Sequence, residues 1–272
     1  MIRLWILVAL TTVGCAKNRG PLVAHSVSSD VVVSMARSRV MPQTVQGRFS
    51  VHIDLGDENY TVPAAVLLDQ PDKFRFEVYT PFGTPLYTMA SDGDAIHVWS
   101  QRSKTFYEGK DASAVLQRLT GGQIGIDDVL GIVTGVLPMV DAEILHVGRT
   151  VFEDDGVVIV MLGPDDIRVR AVIDPRHGMV RKLRVDPASA ESGYEEPNTK
   201  PLLEVEYEGQ VRNEGGVFPS AIEVGLPQLG WTMSIQSKRW KVLDDSPDAF
   251  TLTAPPRSTT KDLRETIESI RP

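Results

Sequence analysis

One cysteine, five histidines and four Asp-Asp doublets are the residues of this 272-residue chain weighed first for nucleophilic, metal or acid–base chemistry. The histidines, His25, His52, His97, His146 and His177, are scattered, and none pairs at metal-ligand spacing. The doublets Asp127-Asp128, Asp154-Asp155, Asp165-Asp166 and Asp244-Asp245 fall where turns or helix starts are expected, and capping accounts for them. Neither a G-x-S-x-G elbow, an H-E-x-x-H pair nor a phosphate-binding loop occurs in the sequence. A single cysteine leaves no C-x-x-C redox pair. The expectation is therefore a protein that is not an enzyme, with no catalytic residue, no metal ligand and no cofactor. The formal net charge is −8, and no Lys/Arg run interleaves with aromatic residues, which argues against nucleic acid as a partner.

Cys15 has a different chemistry in prospect. Arg3 forms a short positive region, Leu4 to Leu10 is unbroken apolar sequence, and Thr11 to Gly14 are small or β-branched. Residues 1–14 read as a secretory signal, too short to span a bilayer. The TVGC end resembles a bacterial lipobox, with Thr12 where leucine is usual, and this makes Cys15 the expected lipidation site. The alternative is an ordinary signal peptide with a cysteine at its end by chance. Two or three acyl chains, at about 0.8 kcal/mol per buried CH₂, make a stable anchor. Ala16, not Asp, follows the cysteine, which points to the outer membrane under the best-known sorting rule for such lipoproteins.

Residues 15–28 are polar, contain Gly20 and Pro21, and read as a tether. Ser29 or Asp30 can cap a short helix that ends before Pro42. The period then changes to two. In GRFSVHIDL, Phe49, Val51, Ile53 and Leu55 alternate with Arg48, Ser50, His52 and Asp54, the pattern of a half-buried antiparallel strand. Strands follow at 60–68, 73–79, 86–90, 95–99 and 105–107, and again at 144–152, 157–162, 167–173, 179–185, 202–211, 221–226 and 231–242. Two helices interrupt them, one capped by Asp111 and ending at Gly121-Gly122, the other running from Ile126 to Pro138. Residues 186–201 have the composition of a mobile insertion, and 256–272 that of a flexible or weakly helical tail. The whole predicts one α+β domain over 29–255, a curved antiparallel sheet with two short helices on its apolar face.

Three segments resemble a known family: GRFSV, then FRFEVYTPFGTPLYTMASDGDAIHVWS, then LQRLTGGQIGIDDVLGIVTGVLP. Their order over Gly47–Pro138 is similar to that of lipoproteins with the LolA/LolB fold, nearest to the outer-membrane receptor LolB, a group that includes DUF4292-type lipoproteins. The resemblance implies a half-open antiparallel β-barrel of about eleven or more strands with a short helical lid over an apolar cavity. It implies acyl chains of lipoproteins or lipids as cargo, a periplasmic carrier of the LolA type as partner, and attachment to the periplasmic face of the outer membrane through the lipid anchor. By motif alignment Phe82, between Pro81 and Gly83, takes the place of an exposed leucine on a membrane-contacting loop. The other reading of Phe82 is a ring folded back as a cap on the barrel rim.

Two functions follow. In the first, the protein binds acyl chains during lipoprotein or lipid transfer. The lining would come from Phe49, Val51, Phe74, Phe76, Val78, Ile96 and Val98 on strands and from Val129, Ile132 and Val133 on the helix. In the second, these residues are simply core, the cavity is closed, and the protein is a structural or regulatory envelope lipoprotein like the RseB-type sensors.

Overall fold

The structure, a computed structural model, describes residues 29–39, 42–119, 125–138, 143–149, 156–163, 167–187, 199–213, 216–228, 230–244 and 248–270. Cys15, the signal and the tether lie outside these residues, as does most of the 186–201 insertion.

Strands β1 (Thr44–Asp54), β2 (Asn59–Asp69), β3 (Lys73–Tyr79), β4 (Pro85–Ser91), β5 (Ala95–Ser100) and β6 (Thr105–Lys110) form an antiparallel meander. A second meander consists of β7 (Glu143–Arg149), β8 (Val157–Leu162), β9 (Arg168–Ile173), β10 (Val180–Asp186), β11 (Leu203–Asn213), β12 (Gly216–Leu226) and β13 (Trp231–Leu243). Pairing of β1 with β13, from Thr44 opposite Leu243 to Asp54 opposite Thr232, joins the two into one open 14-stranded sheet. Its ends are β7 and a last strand, β14 (Thr259–Asp262).

Beyond residue 255, where a flexible or weakly helical tail was expected, the chain adds a strand that the sequence reading did not assign, β14. It pairs parallel to β6, with Thr259 opposite Thr105 and the Thr259 N–H donating to Lys104 O at 3.0 Å. Helix α4 (Leu263–Ile270) follows, its start capped by Asp262 Oδ1, which accepts from Arg264 N at 2.7 Å and Glu265 N at 3.2 Å. Four residues are too few to show a period, so only the open hydrogen-bonding edge of β6 selects this strand.

The inward side of the sheet carries two apolar clusters. Helix α1 (Ser29–Ser38) inserts Val32 and Ala36 among Ile159, Val169, Leu183 and Val205 of the second meander. Helix α2 (Ala112–Leu119) brings Ala112 and Val115 onto Leu68, Phe74 and Ile96 of the first. Helix α3 (Ile126–Thr134) spans both: Leu130 and Val133 pack on the first cluster, Ile132 on the second and Val129 on each. It ends at Gly135 in the left-handed conformation (φ 72°), where Val136 N donates to Gly131 O at 2.9 Å. The buried Tyr207 hydroxyl donates to Ile132 O at 2.8 Å and ties α3 to β11. Burial holds this phenol neutral well above its ordinary pKa. Tyr207→Phe is expected to cost about 1 kcal/mol in urea melts. Because the folded-state pKa is raised, the phenol's contribution is complete below pH ~10 and is lost as the pH climbs above it. The variant should lose that part of the alkaline decline.

The outward side is covered in part by the chain itself. Arg75, which alternates with the inward Phe74 and Phe76, donates from Nη1 to Ala249 O at 2.9 Å. From there the chain has to pass β4 and β5 on the outer face to reach β14. Along that path the outward residues Thr88, Ala90 and Phe106 are buried, as is Phe250. The His97 ring stacks on Phe106 with centroids 5.5 Å apart.

Candidate functional site

Burial falls steadily along the inward rows of the first meander. On β1 it runs from Val45, fully buried, through Phe49 and Val51 to the half-buried Ile53 and on to Leu55, which is 38% exposed. On β2 it runs from Leu68 and Val66 through the half-buried Ala64 and Val62 to Tyr60 at 48%. On β4 it runs from Ser91 through Met89 to Tyr87 at 45%, and β13 begins with Trp231 at 44%. Register puts these exposed ends together: Ile53 faces both Tyr60 and Met233, and Asp54 faces Thr232. The helices cover one end of the inward face. At the other end the inward apolar side chains are left half-covered, a floor bordered by exposed Leu55, Tyr60, Tyr87 and Trp231.

The residues expected to line a cavity divide along this gradient. Phe74 and Ile96 are completely buried at the filled end. Phe49 and Val51 are buried midway. Phe76, Val78 and Val98 are half-buried on the floor, and Val129, Ile132 and Val133 are half-buried on α3. The sequence reading did not assign Val62, Met89, Met233 and Ile235 to the floor, nor Leu55, Tyr60, Tyr87 and Trp231 to the rim. Their alternation carried the signal, but only the register says which ends lie side by side.

Phe82 is 96% exposed. The turn beneath it is closed without help from the ring: Gly83 N donates to Thr80 O at 2.9 Å, Thr80 N to Thr84 O at 2.8 Å, and Thr84 N to Thr80 Oγ1 at 3.1 Å. Gly83 supplies the φ of 84° that the turn requires. The ring is therefore not a cap on the rim. Pro81 and Gly83 beside it are exposed as well.

On the outer face, Pro81 and Gly83 also border a groove of about 850 Å³ over β1–β3 and β13, lined among others by Arg48, Leu67, Arg75 and Lys238. Arg75 grips Glu77 Oε1 from Nε at 2.9 Å and Nη2 at 2.7 Å, and the Tyr79 hydroxyl donates to Glu77 Oε2. Burial and this carboxylate push the Tyr79 pKa up to about 12. Further round, the buried Arg184 and Asp186 of β10 pair at 2.9 Å, and Arg184 also bonds Glu204 Oε1 of β11 at 3.1 Å and Thr199 O at 2.6 Å. Among the described residues, no three His, Cys, Asp or Glu side chains converge as metal ligands, and no helix is long and apolar enough to cross a membrane.

No family model matches the chain, and no curated protein matches it. Solved structures do. A DUF1329 family protein from Desulfovibrio piger superposes with a TM-score of 0.56 at 11% identity, over 82% of this chain and 94% of that one. A LolA-superfamily protein from Nitrosomonas europaea gives 0.55 at 15%, over 84% and 99%. A putative outer-membrane lipoprotein-sorting protein domain from Vibrio parahaemolyticus gives 0.54 at 9%, over 81% and 96%. At such identities the likeness is one of architecture, and the open sheet described above is the fold that LolA-superfamily and DUF1329 proteins share.

Proposed function

We propose that this protein is a lipid-anchored envelope lipoprotein whose half-covered inward floor serves as a trough that takes up acyl chains during lipoprotein or lipid transfer to the outer membrane. The observation behind this reading is the row of inward apolar side chains left half-covered between the packed helices and the aromatic rim. A methylene leaving water for such a floor gains about 0.8 kcal/mol, so a chain of a dozen carbons needs only partial contact for useful affinity. Transfer requires no covalent step, only an affinity between those of donor and acceptor. The helices α2 and α3 act as the lid that sets how deep a chain can enter, Cys15 carries the anchor, and Phe82 contacts the acceptor bilayer. A LolA-type carrier is the proposed donor. The competing reading, a closed structural or regulatory protein, fits the packed end of the sheet but leaves the bare end without a role.

Native mass spectrometry on the mature chain with Cys15→Ala, purified from its own periplasm, tests this. Co-purifying acyl lipid, or saturable uptake of a fluorescent fatty acid, is the expected result. A protein that arrives empty and refuses every acyl probe would return the trough to the closed reading.

A further inference from the structure

The outer groove carries a charge arrangement that the trough does not explain. Arg48 on β1 stands directly opposite Arg239 on β13. Lys238 is the extra residue of the β-bulge at that point, and Lys241 faces Gln46 two positions on. All four cations are exposed, and among the described residues none of them makes an ion pair. Like charges facing each other across a strand pair repel. These four cations meet in a chain whose net charge is −8. The one carboxylate in the groove, Glu77, is already taken up by Arg75 and Tyr79. The floor between, Ala65, Leu67 and Pro63, is apolar. Arg48 and Lys238 thus present donors without acceptors along a groove whose far wall is Pro81 and Gly83, the two neighbours of the exposed Phe82 ring.

We infer that this groove binds the phosphate headgroup of an anionic lipid at the foot of the Phe82 loop. The phosphate offers acceptor oxygens to the Arg48 guanidinium and the Lys238 ammonium. The ring beside it enters the acyl layer. One surface patch thereby reads both zones of a bilayer, and it does so on the face of the sheet opposite the trough. The inference rests on the membrane contact proposed for Phe82 and adds a headgroup preference to it.

The chain from Ala16 onward retains every described strand and helix and is free of the anchor. Its binding to phosphatidylcholine vesicles, with and without 30% phosphatidylglycerol, is read by sedimentation. Binding is expected to rise with phosphatidylglycerol and to fall with salt. Arg48→Ala and Lys238→Ala should each weaken the anionic increment about five-fold, and together about thirty-fold. Neither should change binding to pure phosphatidylcholine or fatty-acid uptake. Phe82→Ser should instead weaken binding to both vesicle types alike. Phosphatidylglycerol-dependent binding that survives the double substitution overturns the inference. So does equal displacement by millimolar inorganic phosphate, which would make the ligand a free anion. Tight binding of a hexaglutamate peptide, lost in the double variant, would make the groove a site for an acidic protein and also overturns it. Should fatty-acid uptake be absent while the headgroup effect holds, the trough reading alone fails.

Discussion

Phe82→Ser is expected to lower partition of the anchor-free chain onto lipid vesicles by about ten- to hundred-fold, with folding stability unchanged within about 0.5 kcal/mol. The first figure follows from the free energy of burying one phenylalanine ring, about 1.5–3 kcal/mol, if the ring enters the acyl layer. The second follows from geometry. The ring is 96% exposed and touches no part of the core, and the turn keeps its three hydrogen bonds without it. Substitutions away from packed or capped positions rarely move stability further than this. Vesicle sedimentation and urea melts on the same preparation separate the two effects. Unchanged partition would remove membrane contact from the role of the loop. A stability loss above about 2 kcal/mol would mean that the ring packs in solution after all.

The largest loss of stability should come from the seam between the two meanders. Trp240 is buried there, stacked on Phe218 with centroids 4.6 Å apart and meeting Phe49 edge-on at 5.1 Å. Its Nε1–H donates to Pro219 O at 3.2 Å and to Ser237 Oγ at 3.1 Å. The three rings come from β1, β12 and β13, so they fix the crossing on which the sheet depends. Trp240→Ala is expected to cost about 3–5 kcal/mol, read as a lowered urea midpoint. Trp240→Phe should recover about half of that, since it keeps a ring and drops the Nε1–H bonds. Gly47 belongs to the same packing. A Cβ there would lie 2.4 Å from Phe49 Cζ and 3.0 Å from Trp240 Cζ3, so Gly47→Ala should cost about 1–3 kcal/mol. A loss below 1 kcal/mol in Trp240→Ala would show that the seam tolerates a gap.

The contrast between what the sequence disclosed and what it concealed follows these same elements. Strand β3 was legible to the residue, because Phe74, Phe76 and Val78 alternate strictly with Lys73, Arg75 and Glu77. Helix α3 was legible from its apolar spacing, but its end was not: the reading carried it to Pro138, and Gly135 stops it sooner by turning left-handed. The first glycine of the GRF segment was legible as part of a motif, but its physical reason, the Phe49 and Trp240 rings above it, required the fold. The outer cover of β4–β6 was not legible. Thr88 and Ala90 look like surface residues by alternation, yet both are buried on the face that the chain crosses, more than a hundred residues later, between Ala249 beside Arg75 and Thr259 beside Lys104. The trough itself was half legible. Alternation marks which side chains face inward, but the gradient from buried to exposed depends on where the helices come to rest. The outer cations were visible singly and carried no message until β13 set Arg239 against Arg48.

The pairing of β1 with β13 also sets a clock on the newborn chain. The two partners are separated by about two hundred residues of sequence, and a ribosome adds roughly 5–20 residues per second. Strands β1–β6 are complete once Lys110 has emerged, yet the strand that closes their flank does not begin until Trp231. For roughly ten seconds a first meander folded on the ribosome would have both edges bare, since β14 follows later still, and no Trp240 to pack against Phe49. The export proposed for this protein avoids that exposure, because a chain kept unfolded until it has crossed the membrane presents β1 and β13 to each other together.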